Sequence, residues 1–331
     1  MTSDTAKSND IQRATGLIIV EVRNSNPNGD PERDGAPRKR RGDIGEISHV
    51  SVRRKMRDLV GNKKGPIWLY LQNKFSLDAT RFQILEERDR KRGEIKKTII
   101  EDDSKPLEEK RFVKTYWDGR VFGNTFLEEA EDEPKKSSTA EKPSKADNGK
   151  NKKAEEALAL KKNIKTGVVH FGLGLSVAPV SVRTDFTMTN KAGVEAGKTA
   201  GMAPGAFKFV EHGIYAIPFF VSPTPASVTG CTKQDVDVAL ELIPYVYSHN
   251  PSSIRTQVEV LHAWYAEHNN QRGSCNDFDL IDALMPKKRE AKDKPSAVRS
   301  EYTIPNKKDH PDIFKQFDGR VTIEDLMDRM R

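Results

Sequence analysis

The residues best able to do chemistry crowd into one short stretch. Between Arg33 and Arg57, nine basic side chains (Arg33, Arg38, Lys39, Arg40, Arg41, Arg53, Arg54, Lys55 and Arg57) stand against three acidic ones, Asp34, Asp43 and Glu46. The segment carries +6 of the chain's formal net charge of +7. A solvated helix face interleaves its signs, whereas a one-sign cluster of this density attracts polyanions. Nucleic acid or another phosphate-rich partner is the expectation. Just upstream, Asn24, Asn26 and Asn28 lie in the run Asn24-Ser25-Asn26-Pro27-Asn28-Gly29-Asp30-Pro31. Their amides can donate to phosphate or ribose and Gly29 lets a backbone approach, although the same residues also build plain turns. Arg53, Arg54 and Arg57 are the expected phosphate contacts, with a solvated helix face as the alternative.

Other constellations carry less. Ala192-Gly193-Val194-Glu195-Ala196-Gly197-Lys198-Thr199 matches a relaxed phosphate-binding loop with Ala for the first Gly. Such a loop needs a helix starting at its lysine. Ala200-Gly201-Met202-Ala203-Pro204-Gly205 follows instead and cannot supply one, so no nucleotide cofactor is expected. His262 and His268 lack a third ligand at a useful spacing, and the cysteines, Cys231 and Cys275, are too few for a zinc site without histidine help. No metal is expected. The longest apolar runs, Leu17 to Val20 and Phe219 to Val221, are too short to span a bilayer. The amino terminus lacks a signal-peptide stretch, which points to a cytoplasmic protein with no membrane partner.

These residues need elements to hold them. Residues 1–15 are polar and read as a disordered tail. Leu17 to Val20 is a continuous apolar run, hence a buried strand ending in the Asn-rich loop. Val52, Met56, Leu59 and Val60 recur at helical spacing behind Ser48, predicting a helix over about 48–60 with Arg53, Arg54 and Arg57 turned away from the core. Ile67 to Gln72 and Arg81 to Leu85 are weaker strand candidates. Arg111 to Phe126 reads as a strand bent at its glycines. From Glu128 to Lys165 large apolar residues almost vanish, predicting a flexible charged insertion.

Val169, Phe171, Leu173, Leu175 and Val177 alternate with His170, Gly172, Gly174 and Ser176, which predicts one half-buried strand. Residues 182–213, with a glycine-rich tip, read as a projecting hairpin flanked by Met202 and Lys208. There an apolar wedge could unstack a base and a cation could hold a phosphate, a plain hairpin contact being the alternative. Ile214 to Val221 is a strand, and Thr232 with Asp235 forms a capping box for a helix. Val258 to Ala266 closes the series. The order is β-α-β-β-α-β, that of the ferredoxin-like fold of RRM domains. The expected class is therefore α+β, an RRM-like palm in two parts (16–127 and 166–269) with large insertions and a C-terminal extension over 270–331.

Several segments together resemble one family, the RAMP-type backbone subunits of type I CRISPR Cascade complexes, particularly those of I-B and I-C systems. Asn26-Pro27-Asn28-Gly29-Asp30-Pro31 reproduces the family's loop after its first strand. Pro37-Arg38 and Val52-Arg53-Arg54-Lys55-Met56-Arg57 are similar to its Pro-Arg pair and basic helix. Asp118-Gly119-Arg120-Val121-Phe122-Gly123 resembles Asp-x-Arg-x-Phe-Gly, and Phe171 to Val180 resembles its Phe-x-x-x-x-Ser-Val-x-Pro strand. Phe220-Val221-Ser222-Pro223, Thr229-Gly230 and Ser248-His249-Asn250 resemble its second half. Relatives carry an acidic residue where this chain has His49.

The resemblance implies a noncatalytic protein whose copies stack along a guide RNA, each thumb hairpin kinking the RNA. Target DNA would pair with the guide, and other Cascade subunits would flank the filament. Asn24, Asn26, Asn28, Arg38, Arg53, Arg54, Arg57, Arg120, Met202 and Lys208 are the expected RNA contacts. Sequence-neutral phosphate binding suits a protein that must accept many guides. Two rivals stand beside this. One is a ribonuclease of the same superfamily, with Asp30, Asp34 and His49 as acid–base candidates. The other is a free-standing RRM-like module, although the aromatic stacking signature of such modules is absent from the predicted strands.

Overall fold

A computed structural model describes residues 10–88, 90–101, 104–124, 165–190 and 202–330. Strand β1 (Ala14–Ser25) leads through a loop and β2 (Ile44–Ile47) to helices α1 (His49–Gly61), α2 (Pro66–Phe75), α3 (Arg92–Glu101), α4 (Arg111–Thr115) and α5 (Trp117–Phe122). Strands β3 (Gly123–Asn124), β4 (Lys165–Thr166), β5 (Val169–Phe171), β6 (Gly174–Pro179), β7 (Val182–Asn190) and β8 (Met202–Val221) follow. Helices α6 (Ala226–Thr229) and α7 (Lys233–Leu242) precede β9 (Val258–His268). The remainder holds α8 (Asp277–Leu284), β10 (Lys287–Lys288), β11 (Tyr302–Thr303), α9 (Pro311–Lys315) and β12 (Val321–Asp325).

The result is a mixed α/β protein dominated by one antiparallel sheet, ordered β12-β9-β1-β8-β6-β2, with β5 and β7 also paired to β8. β1 is central, running antiparallel to both β8 and β9. Its continuous apolar run follows from burial on both faces. Ile18, Val20 and Val22 pack with Val52, Met56 and Val60 of α1 and with Val236, Ala239 and Leu240 of α7. Leu17 and Ile19 point the other way, onto Ile281 and Leu284 of α8 and Tyr302 of β11. The C-terminal extension thus covers the second face of the sheet, and β12 lengthens it beyond β9.

Several expectations change. β1 begins at Ala14 and Ile11 is already buried in the core, so the ordered chain starts several residues before Gly16. Ile67 to Gln72 lies in helix α2, where Pro66 occupies the first turn and Ile67, Trp68 and Leu71 are buried at helical spacing. Arg81 to Leu85 forms no strand and offers only a single bridge, Gln83 to Tyr116. Arg111 to Phe126 is helical over α4 and α5: Trp117, Val121 and Phe122 sit at i, i+4 and i+5, and tertiary packing overrides their strand propensity. The insertion expected at 128–165 lies outside the described residues apart from Lys165, and so does the phosphate-loop-like run 192–199.

The alternation predicted from Val169 to Val177 is broken in the middle. Gly172 donates its N–H to the Pro218 carbonyl at 2.7 Å, and the strand resumes as β6 with its phase reversed. Val169 and Phe171 are buried, but beyond the break Gly174, Ser176 and Ala178 are the buried set while Leu173, Leu175 and Val177 are only half-buried. The cause is close packing by the neighbour: a Cβ on Gly174 would lie 2.6 Å from Ile217 Cγ1 and 3.1 Å from Ile47 Cβ.

Candidate nucleic-acid interface

The Asn-rich loop is held from within. Asn24 adopts a left-handed backbone (φ 40°) and leaves its side chain exposed. Asn26 is buried and donates through Nδ2 to the carbonyls of Gly35 (2.7 Å) and Lys208 (3.3 Å), tying the loop to the base of the β7–β8 hairpin. Asn28 Oδ1 accepts from the Ser48 N–H at 2.7 Å, just ahead of α1, and its Nδ2 donates to the Gly29 carbonyl. Asn26 and Asn28 therefore build the turn, with amide donors engaged by backbone carbonyls. Asn24 alone of the three presents a free amide to solvent among the described residues.

The basic segment divides sharply by burial. Ser48 caps α1 by accepting from the Ser51 N–H at 3.2 Å, and this fixes which arginines face out. Arg57, expected away from the core, is only 4 % exposed: its Nε donates to Asp118 Oδ2 at 2.8 Å and its Nη2 lies 2.8 Å from Glu86 Oε2. Asp118 in turn accepts the N–H groups of Leu85 (2.6 Å) and Glu86 (3.1 Å). Arg120 is fully buried and grips the Asp235 carboxylate at 2.6 and 3.0 Å while donating to the Arg81 and Val113 carbonyls. Neither guanidinium can reach a ligand without breaking a desolvated ion pair, so both expectations of RNA contact give way to structural roles. Lys55 is also buried, donating to Ser51 Oγ at 2.7 Å, and burial followed by the Arg255 charge lowers its pKa to about 7.

Arg53 differs. Its Nε is enclosed without a hydrogen-bond partner, and no carboxylate lies within ion-pair distance among the described residues. Its charge reaches two imidazoles: His49 on the same helix and His170 on β5 both have pKa values below the ordinary 6.5, through burial first and the Arg53 charge as a further cause. The Gly167 backbone contact opposes the shift at His170, as Glu46 does at His49. Arg53, His49 and His170 thus share one corner with a single permanent cation, opposed electrostatically by Glu86 and Glu46, and the unpartnered Nε of Arg53 is left to meet a further acceptor. Arg54 is held more loosely, with Nη1 on the Glu86 carbonyl at 3.0 Å and Asp58 at 3.8 Å. Arg38 keeps 3.9 Å from both Asp30 and Glu46, and its Nε has no partner.

The hairpin supplies a second group of residues. β7 pairs with β8 from Val182–Val210 to Asn190–Met202 as a two-stranded ribbon, and residues 191–201 between them lie outside the described residues. Met202 pairs with Asn190 through its backbone, and its side chain is not among those described. Lys208, opposite Thr184, is half-buried and has no ion-pair partner among the described residues. Phe186, opposite Ala206, is 80 % exposed on the same face of the hairpin as Lys208. Sequence reasoning missed it; the signal was a lone aromatic in the otherwise polar run Arg183-Thr184-Asp185-Phe186-Thr187. His170 was missed too, having been read only as a small or polar position in an alternating strand.

The acid–base candidates do not converge. Asp30 caps a turn by accepting the Glu32 N–H at 3.2 Å, Asp34 ends that turn in a left-handed conformation, and no hydrogen bond joins either to His49. Elsewhere His262 Nδ1 lies 2.6 Å from Asp325 Oδ2, while His268 contacts Thr15 and Ser274. Among the described residues no group of three or more His, Cys, Asp or Glu is arranged for a metal. Ser296, His212 and Glu21 do form a chain, at 2.7 and 3.3 Å, with a superficial likeness to a hydrolytic relay. All three are buried and Tyr302 OH donates to Ser296 Oγ at 2.8 Å, so the chain staples the C-terminal extension to the sheet. Among the described residues no helix is long and apolar enough to cross a membrane.

Comparison with curated proteins finds no match. Among solved structures, the chain is similar to one from a "CRISPR RNA-guided surveillance complex, pre-nicking" at 13 % identity and a TM-score of 0.43, covering 77 % of this chain and 78 % of that one. A second, from a "CRISPR RNA-guided surveillance complex", shows 15 % identity and a TM-score of 0.39, covering 77 % and 69 %. The profile of CRISPR-associated protein Cas7 matches residues 12–307, from two residues before β1 to the C-terminal extension over the second sheet face, and the chain belongs to that family.

Proposed function

We propose that this chain is a noncatalytic, guide-RNA-binding backbone subunit of a type I CRISPR Cascade complex in the cytoplasm. Copies line up along the guide, target DNA pairs with that guide, and other Cascade subunits complete the assembly. The observation that carries the reading is the family match over 12–307. An RRM-like palm is supported by the strand order β9-β1-β8-β6 with α1 and α7 packed on one face. Because the extension covers the other face, stacking of bases on an open sheet is not the mode of binding. Phosphates are held instead by Arg53 with His49 and His170 and by Arg38 and Arg54, with the exposed Asn24 amide as a further donor. Lys208 and Phe186 act from the hairpin, Phe186 offering a flat apolar face to a base and Met202 lying nearer the tip.

RNA extracted from the chain purified out of cells carrying their own CRISPR array tests this. Short RNAs bearing many different spacers are expected, with arbitrary RNA left intact on incubation. Discrete cleavage of that RNA, or bound RNA without spacer sequence, would contradict the proposal.

A further inference from the structure

The phase reversal at Gly172 turns three large apolar side chains onto the second sheet face, where they are only half-buried and Val177 packs against the core. Leu173, Leu175 and Val177 fall on the second sheet face past the end of α8, where with Pro218 and Met285 they line a groove of about 460 Å³. The charged side chains on this groove are all lysines: Lys287, Lys288 and Lys292. Lys288 is already engaged by the Lys294 and Pro295 carbonyls at 2.6 and 3.1 Å and by Glu301. Lys287 and Lys292 are exposed and have no carboxylate within ion-pair distance among the described residues.

The opposite end of α8 has the reverse character. Asn276 caps the helix and Asp277 is paired with Arg13, which fixes the amino-terminal turn. From that turn Phe278 projects 70 % exposed, and Asp279 and Asp282 beside it are exposed without ion-pair partners among the described residues. Phe278 and Asp282, four apart, share one helical face. One molecule therefore carries an apolar knob framed by carboxylates and an apolar groove framed by ammonium groups. A nucleic-acid phosphate would suit the lysines but leave the leucine floor unmatched.

We propose that this groove receives the Phe278 end of α8 from a second copy of the chain. Phe278 packs on Leu173, Leu175 and Pro218, and Asp279 and Asp282 face Lys287 and Lys292. A patch that meets a different patch on its neighbour makes a heterologous contact, which repeats from copy to copy and suits an array along RNA. The proposal rests on the backbone-subunit reading and adds the surface by which copies meet.

Charge reversal tests it with the full chain, by sedimentation both on a long RNA and at high protein concentration without RNA. K287E/K292E and D279K/D282K are each expected to weaken copy-to-copy association about tenfold or more, since like charges then face each other. The chain carrying all four reversals should regain it. RNA binding by a single copy and the melting temperature should stay at parental values in all three. Parental association in either double variant, or failure of the fourfold variant to recover, would overturn the contact. A chain that associates in this pattern but binds no RNA would contradict the backbone reading while leaving the contact in place.

Discussion

The guanidinium of Arg57 lies 2.8 Å from the carboxylate of Asp118, sealed under Phe122, whose ring centre is 5.4 Å from the guanidinium carbon. Two residues along, Arg120 closes on Asp235, the carboxylate that also caps α7 by accepting from Thr232. The Asp118-Gly119-Arg120 triplet is thus a two-sided clamp, holding α1 with one charge and α7 with the other. A Cβ on Gly119 would sit 2.7 Å from the Phe112 ring, which explains the residue between them.

Breaking one side of this clamp should unfold the protein rather than merely disarm it. R57A leaves the buried Asp118 carboxylate without its cation and is expected to cost about 3–5 kcal/mol, whereas D118A leaves Arg57 with Glu86 and should cost less. Urea midpoints measure this, and wild-type stability in R57A would show that the pair is not desolvated.

Arg53 should behave in the opposite way. R53A removes a guanidinium whose Nε has no protein partner, so stability should change by less than about 1 kcal/mol. RNA affinity should fall to a similar degree for every sequence, with the salt slope reduced by about one ion. Titrations at several salt concentrations decide it; an unchanged slope would place Arg53 away from phosphate.

Sequence periodicity predicted much of the frame. β1, the cap of α1, the hairpin, the capping box of α7 and β9 all follow from local patterns, because each is decided by neighbours a few residues away. The pairs Arg57–Asp118 and Arg120–Asp235 are 61 and 115 residues apart, and nothing local distinguishes a buried arginine from a solvated one. That is why Arg57 and Arg120 were read as ligands. α2 and α5 were read as strands because Ile, Trp, Val and Phe favour strands until packing decides otherwise. The phase reversal in β6 was hidden by an unbroken apolar alternation that only the close approach of Ile217 interrupts.

Binding should depend on pH through His49 and His170. Both imidazoles titrate below 6.5 in the free protein, so at neutral pH they are uncharged. A phosphate beside them favours the imidazolium, and RNA affinity should rise as pH falls through 6.5. Folding runs the other way: the unfolded chain binds these protons more readily, so stability without RNA should decline over the same window. The double variant H49Q/H170Q should flatten the affinity profile. A profile equally steep in that variant would remove both residues from the site.

Phe186 should matter to RNA and not to the fold. With 80 % of its surface exposed, F186A should leave the melting temperature unchanged. If the ring stacks on a base, affinity should drop by about 1–3 kcal/mol per copy, and fluorescence of a base analogue along the RNA should lose its periodic enhancement. Equal affinity and an unchanged signal would assign the ring to another partner.

A backbone subunit of the proposed kind coats RNA at a regular spacing. The most direct measurement is the mass of complexes formed by the purified chain on RNAs of stepwise increasing length and arbitrary sequence. Bound copies are expected to rise in whole-number steps with RNA length, with the RNA recovered intact. One copy at every length, or shortened RNA, would contradict it.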